Sequence, residues 1–496
     1  MISNSIEEEI NAVGTAQVIV VLKPFVQTGA AASAAPSAAL AAAIPVTASR
    51  SRMLLSSRVV AQVAAQFRFG ESTQAVAMAA SRGIAGSKSA GAKWFRSAAA
   101  TNNPTPQARI YPNLGVMLGS VDKTGLKSLS LDQGVQDVLL APRLSLIRPV
   151  RVGPAATSAA VANQKTWGIK RLKADKLHQQ GIEGGGVIVG HLDTGVDGKH
   201  PALKNAIHAF TEIDDFGFEV TPVPAAHDTA DHGTHTAGTI AGRPGGGHEI
   251  GVAPAAMLAS AIVIEGGDVI ARVLAGMDWA IGQGARILNM SLGLRGFHND
   301  FLPLTQLLRQ KGILPVFAVG NEGPGTSRSP GNYDEALSVG ASAEDNSVPN
   351  FSSSRQFTTW LVPDVVAPGV EVISAMPGGG FQEMDGSSMA TPHIAGLAAL
   401  LWSAVPAATV DQVEQAIFTS CQKLPNEPDS RQNRGVPDAV AALAELRAAV
   451  SCGTAPASPA SLKKAAKKKS PKASKKAAKK APQKAKKAAV KNVKKK

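Results

Sequence analysis

Aromatic residues and cysteine are both scarce in this chain of 496 residues. Aromatic residues make up 4% of the sequence, so a buried core has to be built from Ala, Val, Leu and Ile. The two cysteines, Cys421 and Cys452, indicate a fold that does not depend on disulfides, with one bond between them as the less favoured alternative. Neither belongs to a Cys-x-x-Cys or Cys/His pattern, which argues against a structural zinc site.

Long hydrophobic runs are also missing. No uninterrupted apolar stretch reaches the length that crosses a bilayer, so we expect no transmembrane segment. The first ten residues, MISNSIEEEI, are acidic and polar, whereas a secretory signal begins with basic residues and continues in an apolar run. We therefore favour the cytoplasm, with export or surface association by a route that the sequence does not show as the alternative.

Acidic residues are absent from residues 453–496, which contain 17 lysines. Without these lysines the formal charge of +14 becomes −3, so the basic character belongs to this tail alone. The tail repeats Lys, Ala and Pro without aromatic residues for stacking on bases. We expect it to be disordered and to bind DNA, RNA or another polyanion without sequence specificity; the alternative is a solubilising tail with no dedicated partner. It resembles the carboxyl tails of linker histones.

Composition divides the rest of the chain into three regions. Residues 1–150 hold a strand at 16–22, then an Ala/Ser-rich insertion at about 28–107 that we expect to be partly disordered, and further strands and a helix at 114–141. Residues 151–164 form a linker rich in Pro, Ala and Ser. Residues 165–452 alternate apolar runs with helical stretches, a pattern that predicts an α/β fold with a mostly parallel central sheet and helices on both faces.

Four short polar segments carry the candidate chemistry of residues 165–452: HLDTG, HGTHTAG, AVGNEGPG and DGSSMATPH. A serine hydroxyl becomes a nucleophile when an imidazole takes its proton, and the imidazole needs a carboxylate to fix its tautomer. The oxyanion that then forms needs hydrogen-bond donors. We assign these roles to Asp193 (orientation), His232 (base), Ser388 (nucleophile) and Asn321 (oxyanion donor). The backbone N–H of Ser388, at the start of a predicted helix, is a second donor.

Each of these segments is a weak signal alone, but the order Asp–His–Asn–Ser is specific. Together with GVAPAAMLASAIVI, WAIGQGARILNMSLG and PDVVAPGVEVIS, they show that residues 165–450 resemble a subtilase catalytic domain. The resemblance implies a monomeric serine endopeptidase acting on protein or peptide substrates. It also implies that Ser291, Leu292 and Gly293, with Gly266 and Gly267 opposite, form edges that pair with an extended peptide.

The same resemblance extends, more loosely, to the N-terminal region. Residues 1–150 resemble the small α+β prodomain of subtilases, which implies a precursor that cleaves itself between about 145 and 166. Subtilases often bind calcium through an Asp after a His-Pro pair, but Ala202 follows His200-Pro201 here. We therefore expect no required cofactor, no metal at the usual family site, and leave calcium elsewhere open.

Three other histidines near these segments are predicted to have structural roles, and one glutamate has two possible interpretations. His191, His235 and His393 are interpreted as buried packing or strand residues rather than as catalysts or metal ligands. Glu322 either favours basic residues in the substrate or is a solvated loop residue. Two rival functions remain at this point: a nucleic-acid-associated protein whose protease domain is secondary or silent, and an acyl hydrolase of the same fold that acts on esters.

Overall fold

The computed structural model describes residues 4–23, 62–63, 66–67, 108–156, 164–244, 248–264 and 266–451. Most of the insertion predicted at 28–107, part of the linker at 151–164, Cys452 and the tail at 453–496 lie outside these residues, so the predictions about them stay predictions. Within the described ranges, no helix is both long and apolar enough to cross a membrane. The domain boundaries that we assigned from composition also stay a prediction.

The N-terminal part is a four-stranded antiparallel sheet with helices on one face. Its strands lie in the order β2-β3-β1-β4. One face of the sheet packs against Ile6, Leu126 and Leu129 of the helices, and the other face, with Ile19 and Leu118, packs against the main body. The elements are α1 (Asn4–Val13), β1 (Ala16–Leu22), β2 (Arg109–Tyr111), β3 (Val116–Val121), α2 (Lys123–Leu131) and β4 (Val135–Leu140).

Three short strands connect this part to the main body. They are β5 (Ser145–Leu146), β6 (Arg151–Ala156) and β7 (Gln164–Lys165). The main body then begins with α3 (Trp167–Arg171), α4 (Ala174–His178), β8 (Ile188–Asp193), β9 (Ile207–Glu212), α5 (His232–Ala241), β10 (His248–Glu249), β11 (Met257–Ile262), α6 (Val269–Gly282), β12 (Ile287–Met290) and β13 (Leu292–Arg295).

The second half of the main body follows a 3₁₀ turn at Asn299–Phe301. It contains α7 (Leu302–Gln310), β14 (Leu314–Ala318), β15 (Arg328–Ser329), β16 (Leu337–Ser342), β17 (Arg355–Gln356), β18 (Leu361–Val362), β19 (Val365–Pro368), β20 (Val372–Met376), β21 (Gly380–Asp385), α8 (Ser387–Ala404), α9 (Val410–Thr419), α10 (Asp429–Gln432) and α11 (Ala439–Ser451).

The centre of the main body is a seven-stranded sheet in the order β19-β16-β14-β12-β8-β11-β9, and every pair in it is parallel. One face is covered by α5 and α8, whose residues Ile240 and Leu397 belong to one core cluster. The other face is covered by α6 and α7 through Leu274 and Leu308. The α/β prediction with helices on both faces is confirmed, and the double cover explains why the strands are continuous apolar runs.

This topology brings the candidate residues to one edge of the sheet. β8 ends at Asp193, β12 is followed by Ser291, and β14 ends three residues before Asn321. Two helices begin at the same edge, because α5 starts with His232 and α8 starts one residue before Ser388. The carboxyl ends of parallel strands are the usual place for catalytic groups in such sheets.

Candidate active site

Asp193 and His232 form a buried hydrogen-bonded pair. His232 Nδ1 donates to Asp193 Oδ1 at 2.7 Å. Burial raises the pKa of Asp193, but the charge of His232 and its hydrogen bond outweigh burial, so the pKa lies below the usual value. Burial lowers the pKa of His232, but the negative charge of Asp193 and its hydrogen bond raise it by more, so the pKa lies above its usual value. The pair is therefore an ionised carboxylate that orients an imidazole through its Nδ1–H.

A close backbone approach makes this pair possible. A Cβ atom on Gly233 would lie 2.1 Å from the carbonyl oxygen of Gly195, so only glycine lets the start of α5 approach the loop after Asp193. Asp228 fixes the same junction: its Oδ2 accepts from the backbone N–H and the hydroxyl of Thr234, both at 2.6 Å. Its Oδ1 accepts from the Thr194 hydroxyl at 2.7 Å.

Ser388 and Asn321 meet at the start of α8. Asn321 Oδ1 accepts from the backbone N–H and from the hydroxyl of Ser387, both at 2.8 Å. These two hydrogen bonds orient the side-chain amide of Asn321, so that its Nδ2 donates to the carbonyl oxygen of Arg148 at 2.9 Å. Ser388 Oγ donates to the carbonyl oxygen of Ile147 at 2.5 Å. Ser388 and Asn321 thus bind consecutive carbonyl groups of one peptide segment.

His232 is not hydrogen-bonded to Ser388 in this state. Its Nε2 is buried and has no hydrogen-bond partner among the residues that the structure describes. Ser388 Oγ instead contacts the peptide segment. The structure therefore joins Asp193 to His232 directly, and it brings Ser388 and Asn321 together through the carbonyls of residues 147 and 148.

That segment belongs to the chain itself and lies in the site in an extended conformation. β5 pairs antiparallel with β13, with Leu146 opposite Leu292 and Ser145 opposite Gly293. The N–H of Ile147 donates to the carbonyl of Ser291 at 2.9 Å. Beyond the site, β6 pairs with β21. Residues 291–293 thus pair with the chain's own connection between its two parts, and their pairing with a substrate peptide stays a prediction.

Gly266 and Gly267, predicted to lie opposite, have other contacts. Gly266 O accepts from Arg272 Nη1 at 3.2 Å. A Cβ atom on Gly267 would lie 2.4 Å from Asp215 Cα, so this glycine allows a close backbone contact. Within the described ranges we find no strand pairing between these glycines and β5. Their role in substrate binding stays a prediction.

Sequence reasoning missed the contribution of Arg328. This residue, 8% exposed, forms an ion pair with Glu322 and donates through Nη1 to Ser145 Oγ at 3.1 Å and to Gly293 O at 3.2 Å. Arg295 Nε lies 3.4 Å from Glu322 Oε1. Burial raises the pKa of Glu322, but the two arginines outweigh burial and lower it. Glu322 is therefore an ionised and paired carboxylate, neither a solvated loop residue nor an unpaired acceptor for a basic side chain.

The other histidines of these motifs make backbone contacts. His235 Nε2 lies 2.9 Å from Val372 O, and burial lowers the pKa of His235 to about 3. His393 Nδ1 lies 2.8 Å from Met389 O, and burial lowers its pKa to about 4. Both geometries agree with structural roles. Among the described residues no group of three His, Cys, Asp or Glu side chains is arranged to hold a metal ion.

The sequence of the main body is similar to that of known proteins. Residues 184–437 match the Subtilase family. The chain is 34% identical over 273 residues to M-protease of Shouchella clausii, which covers 55% of this chain and 68% of that protein. It is 37% identical over 242 residues to Subtilisin Savinase of Lederbergia lenta, covering 48% of this chain and 85% of the relative. Subtilisin E of Bacillus subtilis is 35% identical over 271 residues, covering 53% and 68%.

Proposed function

Because the chain belongs to the subtilase family and is a subtilisin-like serine endopeptidase, we propose that it cleaves peptide bonds through Asp193, His232 and Ser388, with Asn321 as oxyanion donor. The observation that carries this assignment is the peptide segment in the site. Its two consecutive carbonyl oxygens accept hydrogen bonds from Ser388 Oγ and Asn321 Nδ2. In the reaction both groups act on one carbonyl, Oγ at its carbon and Nδ2 at its oxygen, so the two hydrogen bonds support the assignment by showing that both groups reach the same peptide.

The reaction proceeds in two acyl-transfer steps, first to Ser388 and then to water. His232 Nε2 takes the proton of Ser388 Oγ while Oγ attacks the peptide carbonyl carbon, and Asp193 stabilises the resulting imidazolium. The tetrahedral oxyanion is stabilised by Asn321 Nδ2 and the N–H of Ser388. His232 then protonates the leaving amine, which leaves an acyl-enzyme that water hydrolyses by the same steps. None of these steps requires a metal, so we expect EDTA to leave kcat/KM unchanged.

We further propose that the chain is a precursor that cleaves its own bond between Ile147 and Arg148. The carbonyl oxygen of Ile147 accepts a hydrogen bond from Ser388 Oγ. The backbone N–H of Ile147 donates to the carbonyl oxygen of Ser291. Residues 145 and 146 precede it in register on β13. Until this bond is cleaved, the segment occupies the site and excludes other substrates. Cleavage after Arg148, whose carbonyl binds Asn321, is the alternative bond.

A fluorophosphonate probe, which labels activated serines, tests both statements on full-length protein and on Ser388→Ala. We expect the wild type to lose residues 1–147, as shown by intact mass, and then to be labelled. Ser388→Ala should show neither change, and Ser403→Ala, a serine on the same helix far from the site, should behave as the wild type. A new N-terminus at Pro149 would move the cleaved bond by one residue. Wild type that is neither cleaved nor labelled would refute the proposal.

The lysine tail supports a second, separate role. We propose that residues 453–496 hold the enzyme on a polyanion, because 17 lysines without an acidic residue attract phosphate chains by releasing counterions. Deleting the tail should abolish binding to duplex DNA and leave peptidase activity intact. Binding by the full chain should weaken steeply as salt rises. DNA binding that survives the deletion would refute this role. Cellular function lost with the tail but retained by Ser388→Ala would favour the nucleic-acid-associated alternative.

A further inference from the structure

A second buried histidine lies behind the catalytic aspartate. His191 precedes Asp193 by two residues on β8, so both side chains point to the same side of the strand. His191 Nδ1 lies 2.9 Å from Ser260 Oγ of β11, and its Nε2 lies 2.8 Å from Thr236 Oγ1 of α5. Thr236 Oγ1 lies 3.2 Å from Asp193 Oδ2, whereas His232 binds the other carboxylate oxygen. A continuous row of polar side chains therefore ends at the triad.

The protons of this row have a defined direction. Asp193 is ionised and only accepts, so a bond to its Oδ2 needs the single hydroxyl proton of Thr236. Thr236 Oγ1 then accepts from His191, which has to carry its proton on Nε2. Burial lowers the pKa of His191, so the ring is neutral and its Nδ1 accepts from the Ser260 hydroxyl. Every donor in the row points towards Asp193, an arrangement in which each bond strengthens the next.

A competing partner for the Thr236 hydroxyl is the backbone of its own helix. The carbonyl oxygens of Gly233 and His232 lie 3.1 and 3.2 Å from Thr236 Oγ1. A bond to an ionised carboxylate is about twice as strong as one between neutral groups, so the proton is directed to Asp193. His191 and Thr236 lie 45 residues apart, and their direct bond is therefore a property of the fold.

We propose that His191 is a positioning residue of the triad, which acts through Thr236 on the second carboxylate oxygen of Asp193. The row holds the carboxylate plane in place and withdraws part of its charge. Asp193 then stabilises the His232 imidazolium less than an unbonded carboxylate would, which keeps His232 deprotonated to lower pH. The inference rests on the proposed roles of Asp193, His232 and Ser388, but not on self-cleavage.

Several charged groups act on His232 besides this row, and all have to stay constant in a test. Asp193 lies on β8, and Asp228 and Asp231 lie in the loop before α5; all three raise the pKa of His232. His191 lies on β8, and His235 lies one turn along α5. Burial lowers the pKa of both histidines, so neither is charged near neutral pH.

The test is the pH profile of kcat/KM for a peptide substrate, measured on wild type, Thr236→Val, Thr236→Ser and His191→Leu. Loss of the bond to Asp193 should move the acid limb to higher pH by about 0.5–1 unit in Thr236→Val and lower kcat severalfold at similar KM. Thr236→Ser keeps the hydroxyl and should restore the wild-type limb. Ser260→Ala, at the far end of the row, should give a smaller shift in the same direction.

Two further variants separate positioning from packing. His393→Leu removes another buried histidine, one that bonds a backbone carbonyl, and it should lower Tm without moving the acid limb. The double variant His191→Leu/Thr236→Val should shift the limb no further than Thr236→Val alone. If single variants fold poorly, the pH dependence of fluorophosphonate labelling gives the same limb from small amounts of protein. An unmoved acid limb with a lowered Tm would show that the row only packs the core; a wild type without peptidase activity would instead refute the proposed function.

Discussion

The direction of the Asn321 side-chain amide is set by Ser387, the residue before Ser388. Ser387 binds Asn321 Oδ1 twice, so Nδ2 has to face the peptide. Asn321→Ala removes the donor and should lower kcat by about 10²–10³-fold with little change in KM, because the bond is made most strongly in the transition state. Ser387→Ala keeps the backbone donor and should cost much less. Steady-state kinetics on a peptide substrate measures both, and near-full activity of Asn321→Ala would remove it from the oxyanion site.

The position of Arg328 predicts that the enzyme prefers substrates with an acidic residue next to it. Ser145 stands two residues before Ile147, and its hydroxyl accepts from Arg328. Glu322 is surrounded by Arg328 and Arg295, so this side of the cleft carries a net positive charge. Peptides with Asp at the position of Ser145 should therefore be cleaved about three- to tenfold better than peptides with Lys.

The matched variants for this preference differ in the sign of the charge they remove. Arg328→Ala should abolish the preference for Asp, and Glu322→Gln should increase it. The measurement is kcat/KM for three peptides that differ only in Asp, Ser or Lys at this position. A preference for Lys in the wild type would mean that Glu322, not Arg328, faces the substrate.

At this scale the sequence predicted the residues that end an apolar run or begin a helix. Asp193, His232, Asn321 and Ser388 were assigned because each lies in a short motif that contains glycine. Arg328 and the His191–Thr236 bond had no local signal. Arg328 reaches a serine 183 residues away, and the polar row joins two strands and a helix. Such contacts follow from tertiary packing, which one short stretch of sequence does not encode.

Among the elements, α5 shows how a single glycine fixes the site. Alanine in a helix interior is about 1 kcal/mol more favourable than glycine, so Gly233→Ala should stabilise an isolated helix. Here the new Cβ would lie 2.1 Å from a backbone oxygen, and the helix has to move away from Asp193. We expect a lower Tm and a loss of kcat of at least tenfold, because misplacement of a catalytic group by about 1 Å has that effect.

The control for this prediction is Gly185→Ala. The nearest atom to its Cβ would be Ala255 Cβ at 4.0 Å, so the substitution fits without displacement. Thermal unfolding and kcat/KM should match the wild type. Equal behaviour of the two variants would show that the contact between Gly233 and Gly195 is not needed.

Element prediction from sequence worked where burial is uniform. The apolar runs expected in residues 165–452 include β8, β11, β12 and β14, which are covered by helices on both faces. β5 has two residues, Ser145 and Leu146, and no pattern of its own. It becomes a strand because the edge of β13, 146 residues further along the chain, supplies its hydrogen bonds.

For the whole molecule, the N-terminal sheet is docked mainly on α6. At the start of that helix Asp268 accepts from Gln17 Nε2 at 2.7 Å and pairs with Arg109 at 3.3 Å. Near its end Asp278 Oδ1 accepts from the N–H of Leu114 at 2.8 Å. Tyr111 OH donates to Ala271 O between them. The N-terminal part is thus fixed at two carboxylates, and the segment that leaves it runs directly into the active site.

Asp278 makes this docking depend on pH. Burial raises the pKa of Asp278 from 3.8 to about 6, so the docked state binds a proton that the separated state releases. The carboxyl therefore favours docking fully below about pH 4, and this contribution is lost as the pH rises through about 6. Docking should be up to about tenfold weaker at pH 8 than at pH 5. Asp278→Asn should remove this dependence.

Hydrogen exchange of residues 114–121 in full-length Ser388→Ala measures docking without interference from cleavage. After correction for intrinsic rates, protection of these amides should fall between pH 5 and pH 8 in Ser388→Ala and stay level in Ser388→Ala/Asp278→Asn. Residues 188–193 at the centre of the large sheet should keep their protection in both proteins. A fall in protection that persists in Ser388→Ala/Asp278→Asn would mean that another titratable group causes the pH dependence. Constant protection in both proteins would mean that Asp278 is ionised when docked, held by the N–H of Leu114 against the cost of burial.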